Sequence, residues 1–275
     1  MTFEVLGTSA LDYLTCRYGT SKLLFRGPRR KLEGKYCAFV GGTETYGKFI
    51  ADPFPGLIER YTGLKCVNFG CPNAGIDVFL NDPVVPGAAS SAQVSIVQVM
   101  GAQNLTNRFY KVHPRRNDRF LKASQLLRSI YSEVDFSEFH FNKHMLKSLM
   151  TRSPERFAVV RHELQQAWQA RMSMLLSRIG GQIILFWFAR HRPEQDVSIP
   201  GFGADPMFLT CEMIEFLRPK VTDIVEVVAS PEAQGLGTEG MVFSQMEAPA
   251  AGHIMGPVAH EEAARALAPV IKNLS

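Results

Sequence analysis

Three short apolar segments, each followed by a glycine, are the feature that most constrains how this chain can fold. They cover residues 36–40, 64–69 and 93–100, and glycines 41, 70 and 101 come directly after them. Each segment has the length of a buried strand, and the glycine at its end favours a tight turn. The segments are near-continuous apolar runs, which is typical of strands covered on both faces. We therefore predict three strands of a parallel sheet.

The clearest helix signal covers residues 154–179. Ser153 is a preferred N-cap residue, Pro154 suits the first helical position, and Gly180 with Gly181 ends the pattern. Apolar side chains recur at spacings of three and four, as on one face of a helix. They are Phe157, Val160, Leu164, Trp168, Met172, Leu175, Leu176 and Ile179. We predict one long helix with an apolar stripe.

Further strands and helices alternate along the rest of the chain. We predict strands over residues 182–189 and 223–229 and helices over residues 206–217 and 260–271. A helical window at 46–61 contains Pro53 and Pro55, so we expect an irregular or broken helix there. Residues 192–204 are rich in Pro and Gly and predict a loop.

Strands that alternate with helices predict an α/β fold with a parallel sheet covered on both faces. Residues 105–151 break the alternation, since they are rich in Arg, His and Phe without a clean strand–helix unit. We interpret them as an insertion after the third strand. The simplest organisation is a single domain of residues 1–275 in which residues 1–35 form a basic N-terminal extension.

Composition excludes several classes of protein. Of the 275 residues, 46% are hydrophobic and 20% are charged, which excludes a disordered chain, a collagen and a coiled coil. No apolar run approaches the roughly 18 to 20 residues of a membrane span, and no secretory signal is visible. The five cysteines form no C-x-x-C pair. We therefore expect reduced thiols, a cytoplasmic location and no metal site.

Positive charge is concentrated in two clusters although the net charge is only +4. The first comprises Arg17, Lys22, Arg26, Arg29, Arg30, Lys31 and Lys35. The second comprises Arg108, Lys111, Arg115, Arg116, Arg119 and Lys122. Arginine suits carboxylates and phosphates, so the second cluster predicts a small anionic substrate, unless it is only a solvated loop. No reading helix or aromatic interleaving accompanies the charge, so we do not expect nucleic acid.

The carboxyl ends of parallel strands are the places where open α/β sheets bind ligands. The residues found there are Gly41, Gly42, Thr43 and Gly47 after the first strand, Gly70 after the second, Gly101 and Asn104 after the third, and His260 at the last helix. In order and position they resemble the four short sequence blocks of the SGNH, or GDSL-like, hydrolase superfamily.

This resemblance implies a three-layer flavodoxin-like sandwich with a mainly parallel sheet and a site for acyl transfer. Thr43 stands where the family has its nucleophilic Ser, and Pro257 stands where it has the Asp that orients the His. The resemblance makes the chain a divergent member, in which Thr43 would attack and His260 would accept its proton. The residues it assigns to the oxyanion or the substrate are Gly42, Gly70 and Asn104, to which the basic cluster adds Arg108, Arg115 and Arg116.

Three further residues near the strand ends are alternatives for a chemical role. Glu44 is an acid that could orient His260. Lys48 ends a G-x-x-x-x-G-K run, the start of a Walker A loop, but Phe49 follows where that loop has Ser or Thr. Cys71 comes directly after Gly70 and would bring a thiol near the site.

These patterns leave three functions open. The first is an esterase or acyltransferase that acts on an anionic ester without a cofactor. The second is a transferase that binds a phosphorylated, sulfated or coenzyme-like donor through the turn 41–48 and Arg residues. The third is a catalytically inactive binding protein, in which Thr43 only caps a helix and His260 is an ordinary helix residue.

Overall fold

A sheet of five parallel strands forms the centre of the protein in a computed structural model that describes residues 11–193 and 204–275. The strands of this part are β1 (Cys37–Gly41), β2 (Cys66–Gly70), β3 (Val94–Gln98), β4 (Tyr110–His113), β5 (Arg116–Ala123), β6 (Ile183–Ala189) and β7 (Asp223–Val228). The sheet order is β2-β1-β3-β6-β7, while β4 and β5 form a separate antiparallel hairpin. This flavodoxin-like order confirms the predicted α/β fold and reverses direction between β1 and β3.

Helices cover both faces of the sheet. Those of the described residues are α1 (Thr43–Tyr46), α2 (Phe54–Thr62), α3 (Ile76–Leu80), α4 (Val85–Ser90), α5 (Gln125–Ile130), α6 (Asn142–Arg152), α7 (Pro154–Ile179), α8 (Cys211–Glu215), α9 (Pro231–Gly235), α10 (Ala248–Ala251) and α11 (Pro257–Leu274). Successive strand residues face opposite sides. Val40 and Leu185 pack with α3, α4 and α7, and Phe39 and Phe186 pack with α2 and α11. The core therefore has two halves, one on each side of the sheet.

The predicted helix over residues 154–179 is confirmed with the same bounds. Ser153 Oγ accepts a hydrogen bond from Arg156 N at 3.3 Å, and Gly180 ends the helix with a φ of 58°. The apolar stripe is buried. Trp168 Nε1 donates to Met100 O at 2.6 Å, which ties α7 to the residues just after β3.

The prolines divide the first helical window as expected. α1 ends at Tyr46, and α2 begins at Phe54 with Pro53 as its N-cap and Pro55 in its first turn. Proline fits this position because the first amides of a helix have no partner inside it. The segment between the two helices is held from outside. The buried Arg26 donates to Gly47 O at 2.6 Å and to Ala51 O at 2.8 Å.

Other boundaries differ from the predictions. The last helix begins at Pro257 rather than at residue 260, so His260 lies inside its first turn. The helix predicted over 206–217 is confined to α8, because Thr210 caps it by accepting a hydrogen bond from Met213 N at 3.3 Å. The loop predicted at 192–204 lies almost entirely outside the described residues. No helix in the described ranges has the length and apolar content that crossing a membrane requires.

The segment between β3 and α7 contains the β4–β5 hairpin, α5 and α6. It is anchored to the rest of the protein through Asn117 of β5, which is fully buried. Asn117 Oδ1 accepts hydrogen bonds from Gly75 N at 3.2 Å and from Val78 N at 3.1 Å. These are amides at the start of α3, where Val78 N has one further and longer bond, to Gly75 O at 3.3 Å. The hairpin therefore lies beside the loop that follows β2.

α1 rests on the end of β2 so closely that no side chain fits at Gly70. A Cβ built there would lie 2.2 Å from Tyr46 N and 2.6 Å from the Thr45 carbonyl carbon. Both neighbours are backbone atoms, so relief would require α1 to move.

We expect Gly70→Ala to lower the free energy of unfolding by about 2 kcal/mol or more, because overpacking against backbone forces a shift. Urea denaturation of the purified variant measures this. Gly87→Ala in α4 is the matched control, since its Cβ would meet no atom within 4 Å. We expect the control to be unchanged or more stable by about 0.5–1 kcal/mol. Equal stability of the two variants would contradict the close contact.

Candidate active site

Thr43 begins α1 immediately after β1, next to the point where the strand order reverses. The buried side chain of Gln98, at the end of β3, fixes this turn. Gln98 Oε1 accepts hydrogen bonds from Gly42 N at 3.1 Å, Thr45 N at 3.2 Å and Thr45 Oγ1 at 2.6 Å. The start of α1 is therefore bonded directly to the neighbouring strand, and Thr43 is left half-buried.

The same turn has few amides left for an anion. Beyond the two that Gln98 accepts, the N–H groups of Tyr46, Gly47 and Lys48 donate to backbone oxygens of the turn at 2.9–3.3 Å. Lys48 Nζ lies 3.9 Å from Glu247 Oε1. A phosphate cradle requires several free amides that converge on one point. These contacts do not favour the predicted donor site at the turn 41–48.

The Thr43 hydroxyl contacts the loop that follows β2. Thr43 Oγ1 accepts a hydrogen bond from Asn73 N at 2.9 Å, and its own proton has only a long contact to Asn73 Oδ1 at 3.4 Å. Asn73 adopts a φ of 55°, in the left-handed region that asparagine enters more readily than most residues. The backbone amide thus holds the oxygen in place, while the hydroxyl proton remains available to a base.

Asn104, in the loop that follows β3, lies against the same Asn73. Asn104 Nδ2 donates to Asn73 O at 3.4 Å, and the side chain is half-buried. The two loops approach so closely that a Cβ on Gly75 would lie 1.7 Å from Asn104 O. Thr43, Asn73 and Asn104 therefore form one polar cluster at the carboxyl edge of the sheet, which we call the Thr43 cluster. Asn73 was not a predicted site residue; its signal is a Pro-Asn turn just after β2.

Two amides predicted to bind an oxyanion have partners inside the chain. Gly70 N donates to Asn68 Oδ1 at 2.7 Å, and Gly42 N donates to Gln98 Oε1. An oxyanion donor must be free to face the substrate. In their place, the Asn104 side chain provides a donor at this edge.

His260 is fully buried between aromatic rings and contacts α2. Its ring stacks on Phe54 and meets the ring of Phe188 edge-on. His260 Nδ1 accepts a hydrogen bond from Phe54 N at 3.2 Å, so it serves the first amide of α2 as a cap. Because Nδ1 is the acceptor, the ring proton belongs on Nε2, which lies 3.7 Å from Glu44 Oε2.

The structure therefore brings Glu44 and His260 together, as the sequence suggested, but shows a different partner for Thr43. Among the contacts of the described residues, none joins Thr43 to His260. One ring nitrogen of His260 binds α2 and the other faces Glu44. The role of His260 as the base for Thr43 remains a prediction, and its observed contacts are those of a packing and capping residue.

A second histidine lies on the loop just before α11. His253 is exposed, and the loop around it is tied to the carboxyl edge of the sheet from two sides. Arg190, which follows β6, donates to Gly252 O at 3.3 Å and to Ile254 O at 2.9 Å. Met255 N lies 3.3 Å from both carboxylate oxygens of Glu44, the residue after Thr43. The sequence analysis missed His253; its signal is a Gly-His pair shortly before the last helix.

The three predicted arginines occupy two different environments. Arg108 Nε donates to Glu163 Oε2 at 2.5 Å, and this carboxylate is nearly buried in α7. Arg108 thus joins the segment between β3 and α7 to α7 itself. Arg115 and Arg116 are exposed at the turn of the β4–β5 hairpin, where their amides both donate to His113 Nδ1 at 3.2 Å. Asn117, the residue after Arg116, accepts from Gly75 N in the loop that carries Asn73.

Cys71 is close to the cluster but has an unreactive thiol. Burial raises its pKa to about 11, and the nearby charges of Asp118 and Asp82 add to this rise. The thiolate is the nucleophilic form of cysteine, and little of it is present near neutral pH at such a pKa. The Cys71 amide donates to Gly41 O at 3.0 Å, so the residue chiefly joins the ends of β1 and β2.

Comparisons with known proteins identify a family. No curated protein matches the chain. Among solved structures, the lipase Lip_vut3 from a goat rumen metagenome is similar, with a TM-score of 0.46 and 13% identity over 88% of this chain and 99% of the lipase chain. At this level the similarity supports no inference about activity. The family described as Domain of unknown function (DUF6473) matches residues 1–275, and the chain therefore belongs to that family.

Proposed function

We propose that the protein is an esterase or acyltransferase in which the Thr43 hydroxyl attacks the carbonyl carbon of an anionic ester. The Thr43 cluster is the observation that supports this proposal. It combines a hydroxyl held at its oxygen by the Asn73 amide with the side-chain amide of Asn104. A nucleophile and a donor for the developing oxyanion are the two elements that acyl transfer requires. The cluster also lies at the sheet edge where ligands bind in this fold.

His253 is the base in this proposal. Its imidazole would accept the Thr43 proton as Oγ1 bonds to the carbonyl carbon, and would return it to the leaving alcohol as the ester C–O bond breaks. Water, or a second alcohol, would then release the acyl group from Thr43. The exposed position of His253 and the attachment of its loop to Glu44 support this choice.

Hydrolysis of p-nitrophenyl acetate and p-nitrophenyl hemisuccinate tests the nucleophile. We expect Thr43→Val, which keeps the shape but removes the hydroxyl, to lower kcat/KM by about a thousandfold or more. Thr43→Ser is the matched control and should retain activity within about tenfold, because it keeps the hydroxyl and removes only a methyl group that crowds the approach. An inert wild-type protein, or undiminished turnover by Thr43→Val, would overturn the proposal.

Two histidine variants test the base. We expect His253→Ala to lower kcat by about a hundredfold or more without changing stability, since removal of a general base costs on this order. His260→Ala should lower the free energy of unfolding instead, because Phe54 N would lose its buried acceptor. Activity assays and urea denaturation of both variants decide the matter. If only His260→Ala lost kcat, and its stability were that of the wild-type protein, His260 and not His253 would be the base.

The exposed hairpin turn is expected to recognise the negative charge of the substrate. Arg116→Ala should raise KM for the hemisuccinate ester about two- to fivefold, the size of an exposed charge pair. KM for the neutral acetate should not change. Arg17→Ala, an exposed arginine in the first basic cluster, is the control for net charge. Equal effects on the two esters, or from the two variants, would contradict charge recognition at this turn.

A further inference from the structure

We propose that Asn142, supplied by the segment between β3 and α7, is a positioning residue that fixes which end of the Asn104 side chain faces the Thr43 cluster. This inference rests on the acyl-transfer function proposed above. An asparagine amide has a donor end and an acceptor end of almost equal shape. Only the donor end stabilises an oxyanion, whereas the oxygen would repel it. The orientation of Asn104 therefore decides whether it assists the reaction.

The hydrogen bonds of Asn142 determine this orientation. Asn142 Nδ2 donates to the backbone oxygen of Asn117 and to Asn104 Oδ1, the latter at 3.1 Å. A backbone oxygen can only accept, so Asn142 must direct its NH2 group towards Asn117. The second hydrogen of that group binds Asn104 Oδ1. Asn104 consequently turns its own NH2 group towards Asn73 O and the Thr43 cluster.

Asn117 makes this arrangement rigid. Its side-chain oxygen accepts two amides at the start of α3, and Asn117 Nδ2 donates to His113 O at 3.0 Å. Asn117 and Asn142 are both fully buried. A flip of the Asn142 amide would leave Asn117 O facing another acceptor in a place where water does not compensate. The orientation of the Asn142 amide, and through it that of Asn104, is thus set by backbone groups that cannot rotate.

The two polar contacts of the Asn142 side chain have different purposes. It is the first residue of α6, and its NH2 group donates to Asn117 O and Asn104 Oδ1, both outside that helix. Within residues 11–193 and 204–275, Asn142 Oδ1 accepts no hydrogen bond. A buried acceptor without a partner lowers stability, but an apolar side chain here would leave Asn117 O without its donor. The bond to Asn117 O holds α6 against β5, whereas the bond to Asn104 Oδ1 connects Asn142 with the Thr43 cluster.

Asn142→Asp is the variant that separates orientation from shape. Burial favours the neutral form of the introduced carboxyl. The oxygen that replaces Nδ2 faces both partners, so its O–H group would donate to Asn117 O and the same oxygen would accept from Asn104 Nδ2. Asn104 would then turn its acceptor end to the Thr43 cluster. We expect kcat for p-nitrophenyl acetate to fall about ten- to a hundredfold while KM stays within about twofold.

Asn107→Asp is the matched control for the same chemical change in the same segment. Asn107 Oδ1 accepts from Phe109 N at 2.8 Å and from Tyr110 N at 3.1 Å. A carboxylate keeps both bonds but loses the one that Asn107 Nδ2 donates to Leu105 O at 3.0 Å. The control therefore reproduces the loss of an amide donor without a contact to the Asn104 side chain, and kcat and KM should stay close to those of the wild-type protein. If Asn107→Asp and Asn142→Asp reduce kcat equally, the effect belongs to the segment as a whole and the proposal fails.

A double-mutant cycle with Asn104→Ala tests whether Asn142 acts through Asn104. Once Asn104 lacks its amide, Asn142→Asp should lower kcat no further, so the double variant should match Asn104→Ala within about twofold. Multiplication of the two losses would overturn the proposal, because a purely structural role of Asn142 would not depend on the Asn104 amide.

A measurement without turnover keeps the inference separate from the proposed function. In protein labelled with ¹⁵N asparagine, the side-chain NH2 signals of Asn104 are those absent from Asn104→Ala. We expect these signals to shift, and their exchange with water to slow, in Asn142→Asp, because the NH2 group would turn from the Thr43 cluster to a buried partner. Identical signals in the wild-type protein and Asn142→Asp would show that Asn142 does not set the orientation of Asn104. A wild-type protein without Thr43-dependent turnover would instead overturn the function.

Discussion

The contact between Gln98 and the start of α1 is the interaction on which the rest of the site depends. One buried side-chain oxygen accepts from three donors of the turn after β1. These donors point to the place where a phosphate-binding loop would hold its anion, and the chain fills it with a neutral amide of its own. Because Gln98 belongs to β3, Thr43 cannot move independently of the sheet. The bonds to Gln98 that fix the position of Thr43 therefore also occupy amides that a phosphorylated donor would need.

Glu44 and His260 connect this turn to two helices on one side of the sheet. The Glu44 carboxylate accepts the amide of Met255, just before α11, while His260 of α11 accepts the first amide of α2. Helix ends carry amides without partners, and burial makes such amides costly unless an acceptor reaches them. His260 thus provides the acceptor that the buried amide of Phe54 needs. Its position near a strand-end site follows from the fold and does not by itself indicate a catalytic role.

The sequence was sufficient to predict secondary structure where several local signals agreed. The bounds of α7 could be predicted because cap, proline, apolar spacing and terminal glycines all indicate the same helix. The sheet followed from apolar runs separated by helical segments. The site could be predicted only in part: Thr43 and Asn104 do lie near each other, whereas the environment of His260 depends on Phe54, 206 residues away. Likewise, Asn142 and Asn104 are separated by 38 positions. No local pattern carries such information.

The Thr43 cluster is built from neutral amides rather than from charged groups. Asn117, Asn142, Asn104 and Asn73 form a continuous series of hydrogen bonds that ends at the Thr43 hydroxyl. Amides do not titrate, so their orientation is the same at every pH at which the protein is folded. In such a site any pH dependence of acyl transfer must arise from the base and from the charge of the substrate. In the proposed reaction, the segment between β3 and α7 would thus contribute orientation, while the proton transfer would depend on the loop that carries His253.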